Sequence, residues 1–261
     1  MRALPVLFLG SALLCGSTAA AEDKPVRELE PVHVNAMRNP EVRKYKVILA
    51  GLDAFDRHHA LAPGVPELRF RLQQRRGAGV PQEPRVRIEG GGDFVLPLAL
   101  DATNRFTVPR SKAALDAAGE LVLNQKRRFY QIVPEVRTPG LPGNVRRLGD
   151  LRLECKVMIA IAKEEMPLLW VVTLNGVLLT RDWCSFFSER ERGATFGFKA
   201  GAPLAAAILT EGKRSKALKT SSEEFEVALS DVEWSDEALV ELRFAEPAAT
   251  GTAGETPRTG P

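Results

Sequence analysis

The strongest pattern of apolar and polar positions in this chain lies between residues 148 and 180. In its first half the two kinds of residue alternate, which is the period of two typical of a half-buried strand. The apolar parity holds Leu153, Cys155, Val157, Ile159 and Ile161, and the polar parity holds Arg152, Glu154 and Lys156. A second apolar run, 168–174, contains Trp170 and precedes Asn175-Gly176, a pair typical of a type I′ hairpin turn. The pattern predicts a meander of two hairpins, with Trp170 in its core.

An amphipathic helix is predicted near the start of the globular part. Asn39 is a good N-cap residue, and Pro40 and Glu41 suit the first helical turn. Apolar residues then recur at spacings of three and four until the pattern ends near His59: Val42, Tyr45, Leu49, Leu52 and Phe55. We expect the apolar face of this helix to pack on a sheet.

Short candidate strands lie on both sides of the predicted meander. They cover 68–72, 86–88, 93–100, 105–109, 120–123, 129–136, 195–199, 206–210, 225–229 and 239–244. Residues 182–191 fit either a loop or a short helix that ends at Gly193. About eleven or twelve short strands predict a mainly β fold, an antiparallel β-sandwich or open barrel, with the amphipathic N-terminal helix packed on it.

The N-terminus has the features of a secretory signal peptide. Arg2 precedes an apolar run, 3–14, and small residues follow up to Ala21, after which we expect cleavage. The run is too short to span a bilayer as a helix. In a competing interpretation Cys15 is lipidated and becomes the mature N-terminus. Leu14 is larger than the residue that usually precedes a lipidated cysteine, whereas Gly16 and Ser17 suit that interpretation.

The domain organisation follows from these signals. We expect a signal peptide over 1–21, a polar lead-in over 22–38, the helix and β-rich domain over 39–245, and a disordered tail over 246–261. The β-rich domain has room for two small sheets packed together. With 261 residues, 44% of them hydrophobic, the chain can bury a good core without metals. A formal charge of +3 is too small to imply nucleic acid.

The cysteines left after cleavage, Cys155 and Cys184, form an even pair in an oxidising compartment. If both predicted hairpins run straight, the two residues lie about 23 Å apart along the strands. A disulfide needs Cα atoms within about 7 Å. A bridge therefore requires the chain to turn back after Thr180, which Arg181-Asp182 would allow. The sequence leaves open whether the two cysteines are bonded or free.

Candidate catalytic chemistry is sparse. The nucleophile-elbow, zinc-helix, Cys-x-x-Cys and phosphate-loop motifs do not occur in the sequence. Asp56 and His59, with Asp53 nearby, have a spacing that would suit a metal ion, but solvated residues at a helix end are the favoured interpretation. We therefore expect no metal, no cofactor and no catalytic residue, although converging carboxylates elsewhere remain an alternative.

Three aromatic residues follow the predicted hairpin within five positions: Trp183, Phe186 and Phe187. They form either a core plug beneath a loop or an exposed patch that binds a partner protein or a glycan.

Several segments resemble known families. Residues 29–36 resemble the TonB box of outer-membrane receptors, but the receptor's plug and barrel are absent, and an edge strand or ordered lead-in is preferred. Residues 51–55, 68–71, 121–124 and 147–155 resemble exported, uncharacterised proteobacterial proteins with a domain of unknown function, a resemblance that implies no activity. Residues 94–97 and 104–109 are more weakly similar to carboxypeptidase regulatory-like, transthyretin-type β-sandwich modules.

Together these observations predict a non-catalytic, exported β-sandwich protein of the periplasm that binds another envelope protein or a surface polymer. An outer-membrane lipoprotein with an architectural role, anchored through Cys15, is the main alternative, and membrane contact is expected only in that case. A carboxylate-dependent hydrolase is a further alternative, which would require a deep pocket with converging acids whose pKa values are shifted.

Overall fold

The computed structural model describes residues 40–75 and 83–246, and the prediction of a mainly β fold is confirmed within them. The strands are β1 (Pro40–Lys44), β2 (Arg69–Gln74), β3 (Val86–Gly90), β4 (Phe94–Leu98), β5 (Arg105–Phe106), β6 (Glu120–Lys126), β7 (Tyr130–Glu135), β8 (Val145–Arg147), β9 (Phe196–Lys199), β10 (Leu204–Glu211), β11 (Arg214–Ala217), β12 (Thr220–Ser221), β13 (Glu224–Val227) and β14 (Leu239–Phe244). The α-helices are α1 (Tyr45–Arg57), α2 (Lys112–Asp116), α3 (Leu148–Glu165), α4 (Leu168–Leu178) and α5 (Glu189–Arg192), and 3-10 helices cover His59–Leu61 and Trp183–Phe186.

The described strands form four antiparallel sheets. Their strand orders are β1-β6-β3-β4, β5-β2-β7, β11-β10-β14-β8 and β12-β13-β9. Most of the strands predicted by alternation are present, although β1, β8, β11 and β12 were not predicted. The alternation succeeds where one face of a strand is buried, as in β3, where Val86 and Ile88 are buried between more exposed neighbours.

The predicted central meander is wrong. Residues 148–165 form helix α3 and residues 168–178 form helix α4, so the chain has no hairpin there. Asn175 and Gly176 lie inside α4 and make no turn. A helical segment produced an alternating pattern because α3 has two buried faces.

The two faces of α3 explain the false period of two. Leu153, Val157 and Ile161 are spaced by four and share one side of the helix, whereas Cys155 and Ile159 lie on the opposite side. Positions two residues apart on a helix differ by about 200° around its axis. Two stripes spaced by four and offset by two therefore fill every odd position, and the sequence imitates a strand.

The polar parity of α3 is not a solvent-exposed face either. Arg152 donates hydrogen bonds to the carbonyl oxygens of Leu229, at 2.7 Å, and Trp234, at 3.0 Å. Glu154 is buried. Both side chains are bound or enclosed by elements distant in sequence. Their polar character therefore did not mean that they are exposed to solvent.

Each face of α3 belongs to a different hydrophobic core. Leu153, Val157 and Ile161 pack in the first core with α1 and the sheets that contain β6 and β2. Leu148, Leu151 and Cys155 pack in the second core with the sheets that contain β10 and β13. We call these the N-terminal core and the C-terminal core.

Helix α1 begins at Tyr45, later than the predicted cap at Asn39, because residues 40–44 pair with β6 as strand β1. Asn39 lies outside the described residues. The buried face of α1, which includes Ile48, Leu52 and Phe55, packs in the N-terminal core, and α1 crosses α3 at Gly51.

The first turn of α3 is held by backbone contacts. The N–H groups of Leu148 and Gly149 donate to the carbonyl oxygens of Ala238, at 2.7 Å, and Asp236, at 2.9 Å. These bonds satisfy two of the donors that a helix start leaves free. A Cβ atom on Gly149 would overlap the carbonyl oxygen of Leu61, so only glycine allows this close approach.

The predicted signal peptide with its cleavage site at Ala21, Cys15, the lead-in and its TonB-box-like segment lie outside the described residues, as does the tail beyond Glu246.

We predict that Gly149→Ala lowers the free energy of unfolding by about 1–3 kcal/mol, because the new methyl group meets a backbone oxygen that cannot move aside. Gly176→Ala is the matched control, since both glycines lie in helices but a Cβ on Gly176 meets no atom within 4 Å. The control should be neutral or stabilising by up to about 1 kcal/mol through helix propensity. Urea denaturation of both variants measures the difference, and equal effects would contradict the packing argument.

Candidate functional site

Helix α4 is an apolar element that the fold leaves exposed. None of its eleven residues is buried. The exposed fractions are 77% for Leu168, 75% for Leu169, 61% for Trp170 and 70% for Val177. Trp170, predicted to be a core residue, is therefore on the surface. Large contiguous apolar surface is unusual on a soluble monomer and marks a contact with a protein or a membrane.

The segment that carries α4 leaves the fold at the end of α3 and returns at the 3-10 helix Trp183–Phe186. We call residues 166–180 the excursion. Cys155 of α3 and Cys184 of the 3-10 helix are joined by a disulfide, with their Cα atoms 6.1 Å apart. The geometric objection raised from the straight hairpins disappears, because neither cysteine lies on a strand.

Polar contacts also fix the base of the excursion. Lys156 forms an ion pair with Asp182, and the Lys163 ammonium donates a hydrogen bond to the carbonyl oxygen of Arg181. Asn175 of α4 accepts a hydrogen bond from the Trp183 indole N–H at 2.8 Å. Burial lowers the pKa of Lys163, and Lys156 adds to this effect while Asp182 opposes it. The base is thus held covalently and electrostatically, and α4 contacts it on one side, where Val171, Leu174, Asn175 and Leu178 are half-buried.

Charged side chains surround the base of the excursion, and positive charge prevails among them. Glu165 pairs with Arg43 at 3.4 Å and Glu164 pairs with Lys46 at 2.8 Å. We define the rim as the five basic and three acidic residues of these contacts, which leaves two positive charges in excess: Arg43, Lys46, Lys156, Lys163, Arg181, Glu164, Glu165 and Asp182.

Of the two interpretations of Trp183, Phe186 and Phe187, a core plug and an exposed recognition patch, the burial of the side chains favours the core plug. Trp183 is only 6% exposed, and the Lys163 ammonium lies 4.6 Å from its ring centre. Phe187 packs against the C-terminal core and meets Phe196 edge to face at 4.9 Å. Phe186 is half-buried beneath Arg192. The exposed apolar surface lies instead on the neighbouring helix α4.

The residues weighed as metal ligands at the end of α1 are bound to other groups. Arg110 donates to Asp53 and to Asp56, each at 2.6 Å, and a ring nitrogen of His59 lies 2.7 Å from the carbonyl oxygen of Val65. Within residues 40–75 and 83–246 no group of three or more His, Cys, Asp or Glu side chains is placed to hold a metal ion.

A second feature is a group of buried charges where the two cores meet. A small cleft of about 130 Å³ lies between β2, β7, β8, α3 and β9, and we call it the seam cleft. Its charged and apolar lining includes Arg71, Glu135, Arg146, Glu154, Met158 and Lys199. Glu224 of β13 also lines the cleft. Sequence patterns could not indicate this cleft, because its side chains come from six elements far apart in the chain.

The carboxylates of the seam cleft are held by arginines. Glu154 Oε2 accepts hydrogen bonds from the Val136 N–H at 2.9 Å and from Arg146 Nη2 at 2.8 Å. Glu135 accepts from Arg105 and lies 3.4 Å from Arg71 Nε. Glu135 also lines a second, outer cleft of about 340 Å³, together with Arg69, Arg105 and Arg137.

The two carboxylates have opposite pKa shifts. Burial raises the pKa of Glu154, and this effect exceeds the opposing effects of Arg146 and the Val136 N–H. Burial also acts to raise the pKa of Glu135, but its hydrogen bond to Arg105 and the nearby charges of Arg71, Arg105 and Arg146 outweigh it, so the pKa lies below its ordinary value.

We predict that Cys155→Ala combined with Cys184→Ala lowers the free energy of unfolding by about 3–4 kcal/mol, because the bridge closes a chain separation of 29 residues. Chemical denaturation of the oxidised protein and the double variant measures this loss. Wild-type protein in reductant is the control and should approach the variant. Equal stability of oxidised wild type and variant would contradict a bridge that constrains the unfolded chain.

We predict opposite pH dependences for Glu154→Gln and Glu135→Gln. The stability that protonated Glu154 contributes is complete below the unfolded pKa and is lost as pH rises through its raised folded pKa, so the wild-type advantage over Glu154→Gln shrinks as pH rises. The contribution of ionised Glu135 is present above the unfolded pKa and is lost as pH falls through its lowered folded pKa.

Thermal unfolding of wild type and both variants across the acidic and neutral range tests these slopes. The test compares how the melting temperature changes with pH and not its absolute value. Each substitution also lowers stability at every pH, because it removes the carboxylate that pairs with a buried arginine. Slopes of the same sign for the two variants would contradict the assignment.

Among the described residues, no helix combines the length and apolar character needed to cross a bilayer. Comparison with known proteins adds no relative: no family model, no curated protein and no solved structure matches this chain.

Proposed function

We propose that this chain is an exported, non-catalytic accessory protein of the cell envelope that attaches to a membrane surface through α4. The observation that carries the proposal is an eleven-residue, mostly apolar helix that has no buried residue and whose Leu168, Leu169, Trp170, Val172 and Val177 are each more than half exposed. Exposing such a helix is unfavourable in water, so its surface is best explained by an apolar surface that covers it.

A lipid surface fits the distribution of apolar side chains better than a protein groove does. Leu168, Leu169 and Trp170 are consecutive, so their side chains point in directions about 100° apart around the axis. A groove in a partner protein covers one face of a helix. The side of α4 with Val171, Leu174 and Leu178 is partly covered by the protein, whereas Leu168, Leu169, Trp170 and Val177 are exposed in several directions. Lipid chains can cover all of these directions at once.

The length of α4 sets the depth of insertion. Eleven residues at about 1.5 Å each span roughly 16 Å, about half of the ~30 Å hydrocarbon core. From Pro167 to Thr180 the sequence has no charged residue. The excursion is therefore suited to enter one leaflet without crossing the bilayer.

The charges of the rim support the same orientation. If α4 enters a leaflet, the rim lies at headgroup depth, where its two excess positive charges attract anionic lipids. The attraction between the rim and the headgroups should weaken in salt, because exposed charges are screened.

Export is part of the proposal. A disulfide that closes the excursion belongs in an oxidising compartment, which agrees with the predicted signal peptide. If Cys15 is lipidated, the acyl chains add a second membrane contact, and two contacts anchor a protein more stably than one.

We also propose that the fold is a β-sandwich. The support for this is that each core is lined by two different sheets.

A carboxylate-dependent hydrolase is the second candidate, because Glu135 and Glu154 line one cleft and have opposite pKa shifts. An acid and base pair needs oxygens that can exchange protons with a substrate. Arg105 and Arg146 already bind these carboxylates, which favours the non-catalytic proposal.

We predict that the purified mature protein floats with vesicles of phosphatidylcholine and phosphatidylglycerol, and less with phosphatidylcholine alone. Trp170→Glu should weaken flotation at least about tenfold, because it places a charge in the apolar helix. Val232→Glu is the matched control, since Val232 is 94% exposed but lies far along the chain from α4, after β13.

Wild-type protein that fails to float with either vesicle would overturn the proposal, as would equal losses in the two variants. Light scattering after gel filtration tests the alternative, in which a second copy of the chain and not a membrane covers α4. A wild-type dimer that Trp170→Glu converts to a monomer, with no flotation of either protein, would show that α4 binds a second copy of the chain.

A further inference from the structure

The charges that line the seam cleft balance in number, since Arg71, Arg146 and Lys199 face Glu135, Glu154 and Glu224. Two further arginines, Arg105 and Arg137, line the outer cleft and lie close enough to act electrostatically on Glu135 and Arg146. Asp150 lies close to Arg137, but its oxygens accept two hydrogen bonds from Thr138, each at 2.7 Å, and it also faces Arg147 at 3.6 Å. At the mouth of the cleft, Lys199 and Glu224 pair with each other at 2.8 Å and cancel.

Two of these arginines have a buried donor that makes no hydrogen bond within the described residues. The Nε atoms of Arg71 and Arg146 are both shielded from solvent and unsatisfied, and both side chains line the seam cleft. Arg146 is only 6% exposed. Arg71 Nε lies 3.4 Å from Glu135 Oε1, which is ion-pair distance without hydrogen-bond geometry. A buried donor left unpaired costs free energy, and a charged donor costs more.

We propose that Arg71 and Arg146 bind a small oxyanion, a carboxylate or phosphate group, in the seam cleft. Such an anion would give both unpaired Nε donors an acceptor. Guanidinium groups suit this task because their planar array of donors matches carboxylate and phosphate oxygens.

The surroundings define the ligand further. The cleft volume of about 130 Å³ admits one small group, such as the charged end of a larger molecule, and not a folded partner. Met158 and Phe198 provide an apolar wall on the side of α3 and β9. Gly197 adds no side chain to the cleft edge, so a ligand entering past β9 meets open space there.

The position of the cleft couples binding to the two cores. Arg71 and Glu135 come from the sheet of the N-terminal core, whereas Phe198 comes from the C-terminal core. An anion held between them joins both halves and should raise the melting temperature as it saturates.

The test is the melting temperature of the full mature protein titrated with sodium phosphate, and separately with sodium acetate, at constant ionic strength set by sodium chloride. We expect a saturable rise at concentrations up to about 10 mM with at least one of the two probes. The probe that acts identifies the group as phosphate or carboxylate.

Arg71→Gln should weaken this binding at least about tenfold, because it removes one charged donor. Arg69→Gln is the matched control, since Arg69 lies two residues earlier on the same strand and lines the outer cleft instead. If Arg71→Gln does not fold, Gly197→Asp supplies the second variant, because its carboxylate at the cleft edge repels the anion.

A rise in wild type that is lost in Arg71→Gln or Gly197→Asp and kept in Arg69→Gln supports the site. No saturable rise with either probe overturns it. Equal responses in all variants also overturn it, since they would indicate an adventitious ion only. Vesicle flotation of Arg71→Gln should match wild type, so a failure of this proposal is distinguishable from a failure of membrane attachment.

Discussion

Helix α3 is the constraint on which both halves of the molecule depend. Its two apolar stripes fill two separate cores, so neither half can bury its apolar surface without the same helix. Burial of a large aliphatic side chain contributes roughly 1.5–3 kcal/mol, and α3 places at least three such side chains in the N-terminal core alone. The β-sheets therefore share one central element, which makes cooperative unfolding of the two halves the physical expectation.

This double burial also explains which parts of the fold the sequence could predict. Strands such as β3 and β14 have one buried face, and their alternation led to correct predictions. In α3 every odd position from Leu153 to Ile161 is apolar, but some of these side chains fill the N-terminal core and the others fill the C-terminal core. A test for one period, of either a strand or an amphipathic helix, cannot separate the two sets. Asn175-Gly176 has the composition of a turn, but the chain there is helical, and Asn175 serves as acceptor for Trp183.

The sites were harder to predict than the strands. Trp170 lies in an apolar run of the sequence and Trp183 directly follows Arg181-Asp182, yet the first is exposed and the second buried, because their burial depends on the path of the excursion. Arg71 and Glu154 alternate with apolar residues, and Glu135 and Arg146 lie at or near strand ends, so each looks individually like a solvated charge. Only the packing of β2, β7, β8 and α3 brings them to one cleft.

The geometry of α3 also limits how the length of the chain can change. One residue inserted between Leu153 and Ile161 would rotate the rest of the helix by about 100°, and both stripes would then turn away from their cores. Beyond Glu165 this restriction is weaker, since α4 contributes no buried residue and is held to the disulfide-bonded base by one side, where Asn175 accepts from Trp183. Related chains should therefore carry insertions and deletions within the excursion, whereas the length of α3 should stay constant.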